Sequence, residues 1–264
     1  MALTRLTLIR LAALATFSRS AGEGQDGSMR LFPDEPQRAK SGAGTMTLPR
    51  PLSAVIFDLD GVLTDTAVAH FRAWKKLADE LGIPFDAAAN EALKGVDRMG
   101  SLDLILRRGG LVLSEAERQA LATRKNASYQ AEIANFTPEE LFPSAAAVLD
   151  AVRAAGLKTG LASSSQNAPF LIRRLGIADK FDAVADAARI RRSKPDPEIF
   201  LNVAAQLGMA PQACLGVEDA AAGIAAIKSA GMAALAVGAA LPEADAMIRH
   251  IADFRLAEYR AEAG

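Results

Sequence analysis

Ala54-Val55-Ile56-Phe57-Asp58-Leu59-Asp60-Gly61 runs from four consecutive apolar residues into two carboxylates and a glycine. A short run that is apolar throughout fits a strand covered on both faces, as in a parallel sheet flanked by helices. The same grammar recurs downstream. Strands are expected over Ala54–Leu59, Leu157–Ala162, Ala183–Ala185, Ala213–Val217 and Ala233–Val237. Helical periods over Ala145–Ala155, Pro169–Leu175, Pro197–Leu207 and Ala220–Ala230 lie between them. Gly156, Gly176, Gly208 and Gly231 follow these helices where a left-handed cap is wanted. Repeated β-α-β units predict an α/β fold, a doubly wound parallel sheet with right-handed crossovers.

Residues 65 to about 138 break this alternation. They hold helical periods at Ala67–Leu81, Asn90–Lys94, Ser101–Arg107 and Ser114–Ile133, with Phe71, Trp74, Leu77, Ala78 and Leu81 on one face of the first. This stretch reads as a small all-helical cap domain inserted into a core made of residues 51–64 and 139–264.

Ligands of open α/β sheets bind outside the carboxyl ends of the strands. The polar clusters fall there: Asp58-Leu59-Asp60-Gly61, Ser163-Ser164-Ser165, Ser193-Lys194-Pro195 and Glu218-Asp219. Asp58 and Asp60 are two residues apart at a strand end, so their side chains can face the same side. One carboxylate can then attack an electrophile while the other handles a proton. Taken alone, Asp-x-Asp-Gly also fits a turn closed by Asx hydrogen bonds. Four carboxylates near one point repel unless a cation sits among them, and oxygen ligands suit Mg²⁺. Lys194 offers a positive charge to a phosphoryl oxygen and Ser163 a hydrogen bond.

In order, Asp58-Leu59-Asp60-Gly61-Val62-Leu63-Thr64, Ser163, Lys194-Pro195 and Gly216-Val217-Glu218-Asp219 resemble the four motifs of the haloacid dehalogenase superfamily. The resemblance implies a Rossmann-like core and a phosphoaspartate mechanism. Asp58 is then the nucleophile and Asp60 the general acid and base. Mg²⁺ is held by Asp58, the Asp60 carbonyl and Asp219, with Glu218 as a further ligand or supporting group. Lys194 and Ser163 steady the phosphoryl group.

Thr64-Asp65-Thr66, His70-Phe71-Arg72-Ala73-Trp74-Lys75, Leu93-Lys94-Gly95-Val96-Asp97-Arg98, Ser101-Leu102, Arg124-Lys125-Asn126 and Asn167-Ala168-Pro169-Phe170-Leu171 narrow the resemblance to the β-phosphoglucomutases. That family interconverts β-D-glucose 1-phosphate and glucose 6-phosphate through β-glucose 1,6-bisphosphate. Carried over by position, Arg98 grips the phosphate that is not transferred, helped by Ser165 and Asn167. His70 lies near Asp60, and Thr66 sits at the hinge. Gly61, Trp74, Lys94, Gly95, Ser101 and Lys125 complete the sugar site, with Trp74 contributing chiefly to the cap core. Ser144, Gln166 and Ala220 depart from the family pattern without removing a reacting group. A phosphatase of small sugar phosphates is the main rival. A phosphonatase would need a cap lysine poised for Schiff-base formation, which neither Lys94 nor Lys125 offers from sequence. A non-catalytic sugar-phosphate sensor conflicts with the intact set of reacting residues.

The 264 residues are 50% hydrophobic and carry a formal net charge of −1, so no basic field argues for nucleic acid. No run approaches the ~18 apolar residues that a membrane span needs. The lone cysteine, Cys214, sits in an apolar run, fits a reducing compartment and reads as a buried structural thiol. A cytoplasmic monomer acting on small sugar phosphates is expected. Residues 1–50 stand apart: Met1 to Ser20 are basic and amphipathic without an acid, and Ala21 to Pro51 are rich in Gly, Ser, Pro and charge. They read either as an organelle transit peptide with a disordered linker or as the product of a start assigned too early, with Met46 as the true beginning.

Overall fold

The computed structural model describes residues 51–93 and 96–259. The amino-terminal extension, Lys94, Gly95 and residues 260–264 lie outside the described residues. The core is a six-stranded sheet. In chain order its strands are β1 (Ala54–Phe57), β2 (Lys158–Leu161), β3 (Ala183–Val184), β4 (Cys214–Glu218), β5 (Ala233–Val237) and β6 (Ala246–Ile248). Their spatial order is β3-β2-β1-β4-β5-β6, and each adjacent pair is parallel. The order reverses beside β1, where Phe57 aligns with Leu161 on one side and Val217 on the other. The residues after these three positions therefore emerge at one sheet edge, at the topological switch point where such folds place ligands.

The helices are α1 (Ala67–Glu80), α2 (Ala87–Glu91), α3 (Arg98–Arg108), α4 (Glu115–Ile133), α5 (Ala145–Ala154), α6 (Ala168–Arg174), α7 (Glu198–Leu207) and α8 (Ala221–Ser229). Alternate residues of β1 feed two separate cores. Val55 and Phe57 pack with Leu149 of α5 and Leu171 of α6, whereas Ala54 and Ile56 pack with Phe200 of α7 and Ile227 of α8. An all-apolar strand is thereby satisfied on both faces, and each fully buried large side chain contributes about 1.5–3 kcal/mol.

The inserted cap comprises α1 to α4 and has its own cluster around Trp74, Leu77, Phe85, Leu102, Ile105 and Leu121. Helix α1 serves both clusters. Trp74, Leu77 and Ala78 face the cap interior, while Ala69 and Ala73 join Tyr129 and Ile133 of α4 against the sheet core. Phe71 and Leu81, expected on the buried face, are only partly buried there. Among the described residues no helix is long and apolar enough to cross a membrane.

Element ends differ from expectation by a residue or two, apart from three informative cases. The helix expected over Asn90–Lys94 begins earlier, at Ala87, because the Asp86 side chain accepts the Ala89 N–H and caps it. Helix α3 begins at Arg98 instead of Ser101, because Asp97 accepts the N–H groups of Met99 and Gly100. Strand β6 was not expected: Asp245-Ala246-Met247-Ile248 is short and mixed in polarity. It is recruited by pairing to β5, helped by Asp245, whose carboxylate accepts the Ala234 N–H at 2.8 Å and a Lys228 Nζ–H at 2.5 Å.

Ser144, immediately before α5, takes φ 68°. This is the left-handed region, which costs an L-residue about 1–2 kcal/mol, and the side chain makes no capping hydrogen bond in return. Ser144→Gly should therefore raise the unfolding free energy by about 0.5–1 kcal/mol, the strain relief being partly offset by a looser unfolded chain. Urea titration measures this directly, with the m-value unchanged.

Candidate active site

Four chain segments meet at the carboxyl edge of the sheet. Asp58 follows β1 directly, and Glu218 ends β4 with Asp219 beside it. Lys194 comes from the long loop between β3 and α7. Its ammonium donates to Asp58 Oδ1 at 2.6 Å and to Glu218 Oε2 at 2.8 Å. All three side chains are buried, that of Lys194 being 1% exposed. Burial alone would strip the lysine of its charge, but Asp58 and Glu218 outweigh it and hold Lys194 above the ordinary lysine range. Burial pushes the Asp58 carboxyl up to about 6, against the pull of Lys194. Glu218 is likewise raised by burial, with Asp219 adding to the effect.

Asp58, Glu218 and Asp219 offer carboxylate oxygens that all lie within 4.8 Å of one another. One ammonium among three carboxylates leaves excess negative charge, and hard oxygen donors at this spacing suit a divalent cation such as Mg²⁺. Two glycines make the cluster possible. Gly61 has φ +82°, and a Cβ there would collide with the Asp219 carboxylate. A Cβ at Gly223, in the first turn of α8, would run into the Glu218 carboxyl. Gly223 was not anticipated; only its place five residues beyond Glu218 hinted at it.

Asp60 points elsewhere. It accepts a hydrogen bond from the Thr66 hydroxyl. Thr66 is fully buried at the head of α1 and uses its side chain for this contact instead of for helix capping. Burial and then the neighbouring Asp58 push Asp60 up to about 6, with the Thr66 hydrogen bond opposing. A carboxyl held there can give or take a proton near neutrality.

Across the cavity, α1 and α4 supply a second group. Lys125 Nζ lies 2.9 Å from His70 Nδ1, 4.5 Å from the Trp74 ring centroid and 4.7 Å from that of Tyr129. His70 packs against Tyr129 with centroids 4.0 Å apart and the rings tilted by 31°. Burial, followed by the charges of Lys125 and Arg98, keeps the His70 pKa well below its usual value. When Lys125 carries its charge its ammonium can only donate across this contact, to an Nδ1 without a proton. Burial, and then Arg98, bring Lys125 down to about 7, with Asp60 opposing. Burial also lowers Arg98, with Asp97 opposing. Tyr129, which forms the floor of this group, gave no signal in the sequence beyond its place four residues after Lys125.

These walls enclose a cavity of about 690 Å³, within the ~300–1,000 Å³ range of small-molecule sites. Asp58, Asp60, Gly61, Thr66, His70, Trp74, Arg98, Ser101, Lys125, Ser165, Asn167, Lys194, Glu218 and Asp219 all line it. Ser163 does not. It is buried behind the wall, where its Oγ accepts the Ser165 N–H at 3.2 Å. Trp74 lines the cavity but is only 3% exposed and belongs to the cap cluster. Asn167 is engaged by the cap: its Oδ1 accepts from Gln130 at 3.1 Å and its Nδ2 donates to Asn126 at 2.8 Å. Lys94 and Gly95 are outside the described residues. Burial raises the Cys214 thiol to about 11, which suits a structural role.

The position of Lys125 has a consequence for stability. Its folded pKa of about 7 lies below the ordinary 10.5, so between these values the unfolded chain binds a proton that the folded chain does not. Stability therefore rises with pH across that window, by at most about 1.4 kcal/mol per pH unit. Lys125→Met should flatten this slope, as measured by urea unfolding at a series of pH values from 7 to about 10.

The model of the haloacid dehalogenase-like hydrolases matches residues 52–231. The β-phosphoglucomutase of Bacillus subtilis is 49% identical over 209 residues, covering 78% of this chain and 92% of the relative. A phosphorylated carbohydrates phosphatase of Thermotoga maritima is 30% identical over 183 residues, covering 69% of this chain and 82% of the relative. The crystal structure of β-phosphoglucomutase from Clostridium difficile superposes with a TM-score of 0.77 at 43% identity, covering 78% of this chain and 94% of that one. The chain belongs to the haloacid dehalogenase-like hydrolase family and, within it, to the β-phosphoglucomutases.

Proposed function

We propose that the chain interconverts β-D-glucose 1-phosphate and glucose 6-phosphate through a phosphoaspartate on Asp58 and a β-glucose 1,6-bisphosphate intermediate, which also primes the enzyme. It acts as a cytoplasmic monomer on small sugar phosphates, with residues 65–138 as the cap domain. The observation that carries this reading is the placing of Asp58 and Arg98 on one cavity. A bisphosphate that must present either end to Asp58 needs a second phosphate site, and a guanidinium fork suits it. A phosphatase needs only the first site.

Asp58 attacks phosphorus, and Asp60 donates a proton to the leaving sugar oxygen and takes one from the incoming hydroxyl. Lys194 and the Ser165 loop steady the phosphoryl oxygens, and Ser163, the hydroxyl expected there, supports them through the Ser165 N–H that it accepts. Asp58, the Asp60 carbonyl and Asp219 would hold Mg²⁺, with Glu218 supporting; when bound, the ion neutralises charge on the transferring group. Thr66 and His70 keep Asp60 in register with the cap, and Lys125 answers the negative charge of the substrate. Arg98 and Ser101, with Asn167, Lys94 and Gly95, bind the phosphate and sugar that are not reacting. Closure of the cap keeps water from the phosphoaspartate.

The test is a coupled assay with Mg²⁺, β-glucose 1-phosphate and a trace of the 1,6-bisphosphate, following glucose 6-phosphate and inorganic phosphate together. Asp58→Asn should reduce isomerisation to background. Arg98→Ala should lower kcat/KM about 100-fold, near 2.7 kcal/mol of transition-state stabilisation, with Arg98→Lys recovering only part. Release of phosphate without isomerisation would favour a sugar-phosphate phosphatase, the activity named for the Thermotoga relative.

A further inference from the structure

Asp97 and Ser193 take no part in the chemistry described above, yet they join the two halves of the cavity. Asp97 is the N-cap of α3 in the cap. Its Oδ1 accepts the N–H groups of Met99 at 2.8 Å and Gly100 at 2.9 Å. Its Oδ2 accepts a hydrogen bond from the Ser193 hydroxyl, on the core loop that follows β3. The chain neighbours of the two residues are Arg98 and Lys194. One carboxylate therefore ties the backbone that carries Arg98 to the backbone that carries Lys194, and Lys194 is bonded to Asp58. All four of Asp97, Arg98, Ser193 and Lys194 line the same cavity.

We propose that the Ser193–Asp97 hydrogen bond is a latch that holds the cap over Asp58 and so sets how the phosphoaspartate divides between sugar and water. This rests on the mutase reading. In the productive branch a sugar hydroxyl oxygen bonds to phosphorus, the bond from phosphorus to Asp58 breaks, and the hydroxyl proton passes to Asp60. In the wasteful branch a water oxygen takes the place of the sugar hydroxyl, its proton passes to Asp60, and inorganic phosphate leaves. The two branches use the same residues, so what separates them is whether water reaches Asp58. A cap hydrogen-bonded to the core beside both phosphate sites excludes it. The bond joins two side chains that can part without disturbing either fold, as a closure that must also release product requires.

The readout is the ratio of inorganic phosphate released to glucose 6-phosphate formed, measured with β-glucose 1-phosphate, Mg²⁺ and the 1,6-bisphosphate primer. Ser193→Ala should raise this ratio at least about fivefold with the melting temperature essentially unchanged. Ser193→Thr keeps a hydroxyl and should restore the wild-type ratio. Asp97→Ser keeps a helix-capping oxygen but not the reach to Ser193. It should raise the ratio alike, and combining it with Ser193→Ala should add nothing. A purely structural role would move stability instead of the ratio. Isomerisation by the wild type with an unchanged ratio in Ser193→Ala overturns the latch alone. A wild type that releases phosphate and forms no glucose 6-phosphate overturns the mutase reading, and the latch with it.

Discussion

The buried ammonium of Lys194, bonded at once to Asp58 and Glu218, is the constraint around which the site is arranged. A buried ion is tolerated only when its partners are close and well oriented, because desolvation costs several kcal/mol per charge. Meeting that condition fixes three parts of the chain together: the end of β1, the end of β4 and the loop after β3. The parallel register beside β1 brings the first two to the same height, and the loop must then deliver Lys194 between them. The small residues follow from this. Gly61 and Gly223 are places where any side chain would displace a carboxylate from the cluster. Lys194 bonds two carboxylates, and Asp219 brings a third within 4.8 Å of them. Oxygen donors so spaced suit a divalent cation.

Asp58 and Asp60 show how two like residues, two positions apart, can be given different work. Asp58 turns toward Lys194 and the acidic cluster, while Asp60 turns toward Thr66 and the cap. Burial raises both, but Asp58 is held by the Lys194 ammonium, whereas Asp60 is held by the neutral Thr66 hydroxyl. The cap faces it with Lys125, His70 and Arg98, whose mutual repulsion and burial weaken their hold on protons. Such a cluster is poorly satisfied alone and is completed by an anion. The cap is therefore electrostatically incomplete in the sense opposite to that of the core, and a phosphorylated sugar between them satisfies both.

The sheet, its helices and the acidic edge were legible because each rests on local chemistry: apolar runs of strand length, glycines after helices, and carboxylates at strand ends. What escaped depended on distant partners. Strand β6 has no convincing pattern of its own and exists through pairing with β5. The left-handed Ser144 lacks the glycine that would have announced its geometry. Asp97 stood in the sequence only as part of the Leu93–Arg98 stretch; it caps a helix that starts earlier than expected, and its second oxygen reaches Ser193, 96 residues away, which no local pattern encodes. Ser163 is a subtler case. Its strand-end position was readable, whereas its orientation behind the cavity wall follows from the Ser165 N–H that it accepts.

A shared catalytic core cannot by itself explain why relatives of similar sequence carry the names of mutases and phosphatases. The nucleophile, the proton-handling carboxyl and the metal ligands serve both outcomes equally. The difference must lie in groups that discriminate a sugar hydroxyl from water, and water is smaller, ubiquitous and chemically competent. Positive binding of the sugar is therefore insufficient, and exclusion is needed. In this chain the seam between cap and core is crossed by the Thr66–Asp60 contact, the amide chain from Asn126 and Gln130 to Asn167, and the Asp97–Ser193 pair. Each of these contacts is made by side-chain hydrogen bonds, which can open and re-form as the cap moves. A seam too firmly bonded would trap the intermediate that has to turn around inside it, whereas one that is too loose would lose its phosphate to solvent.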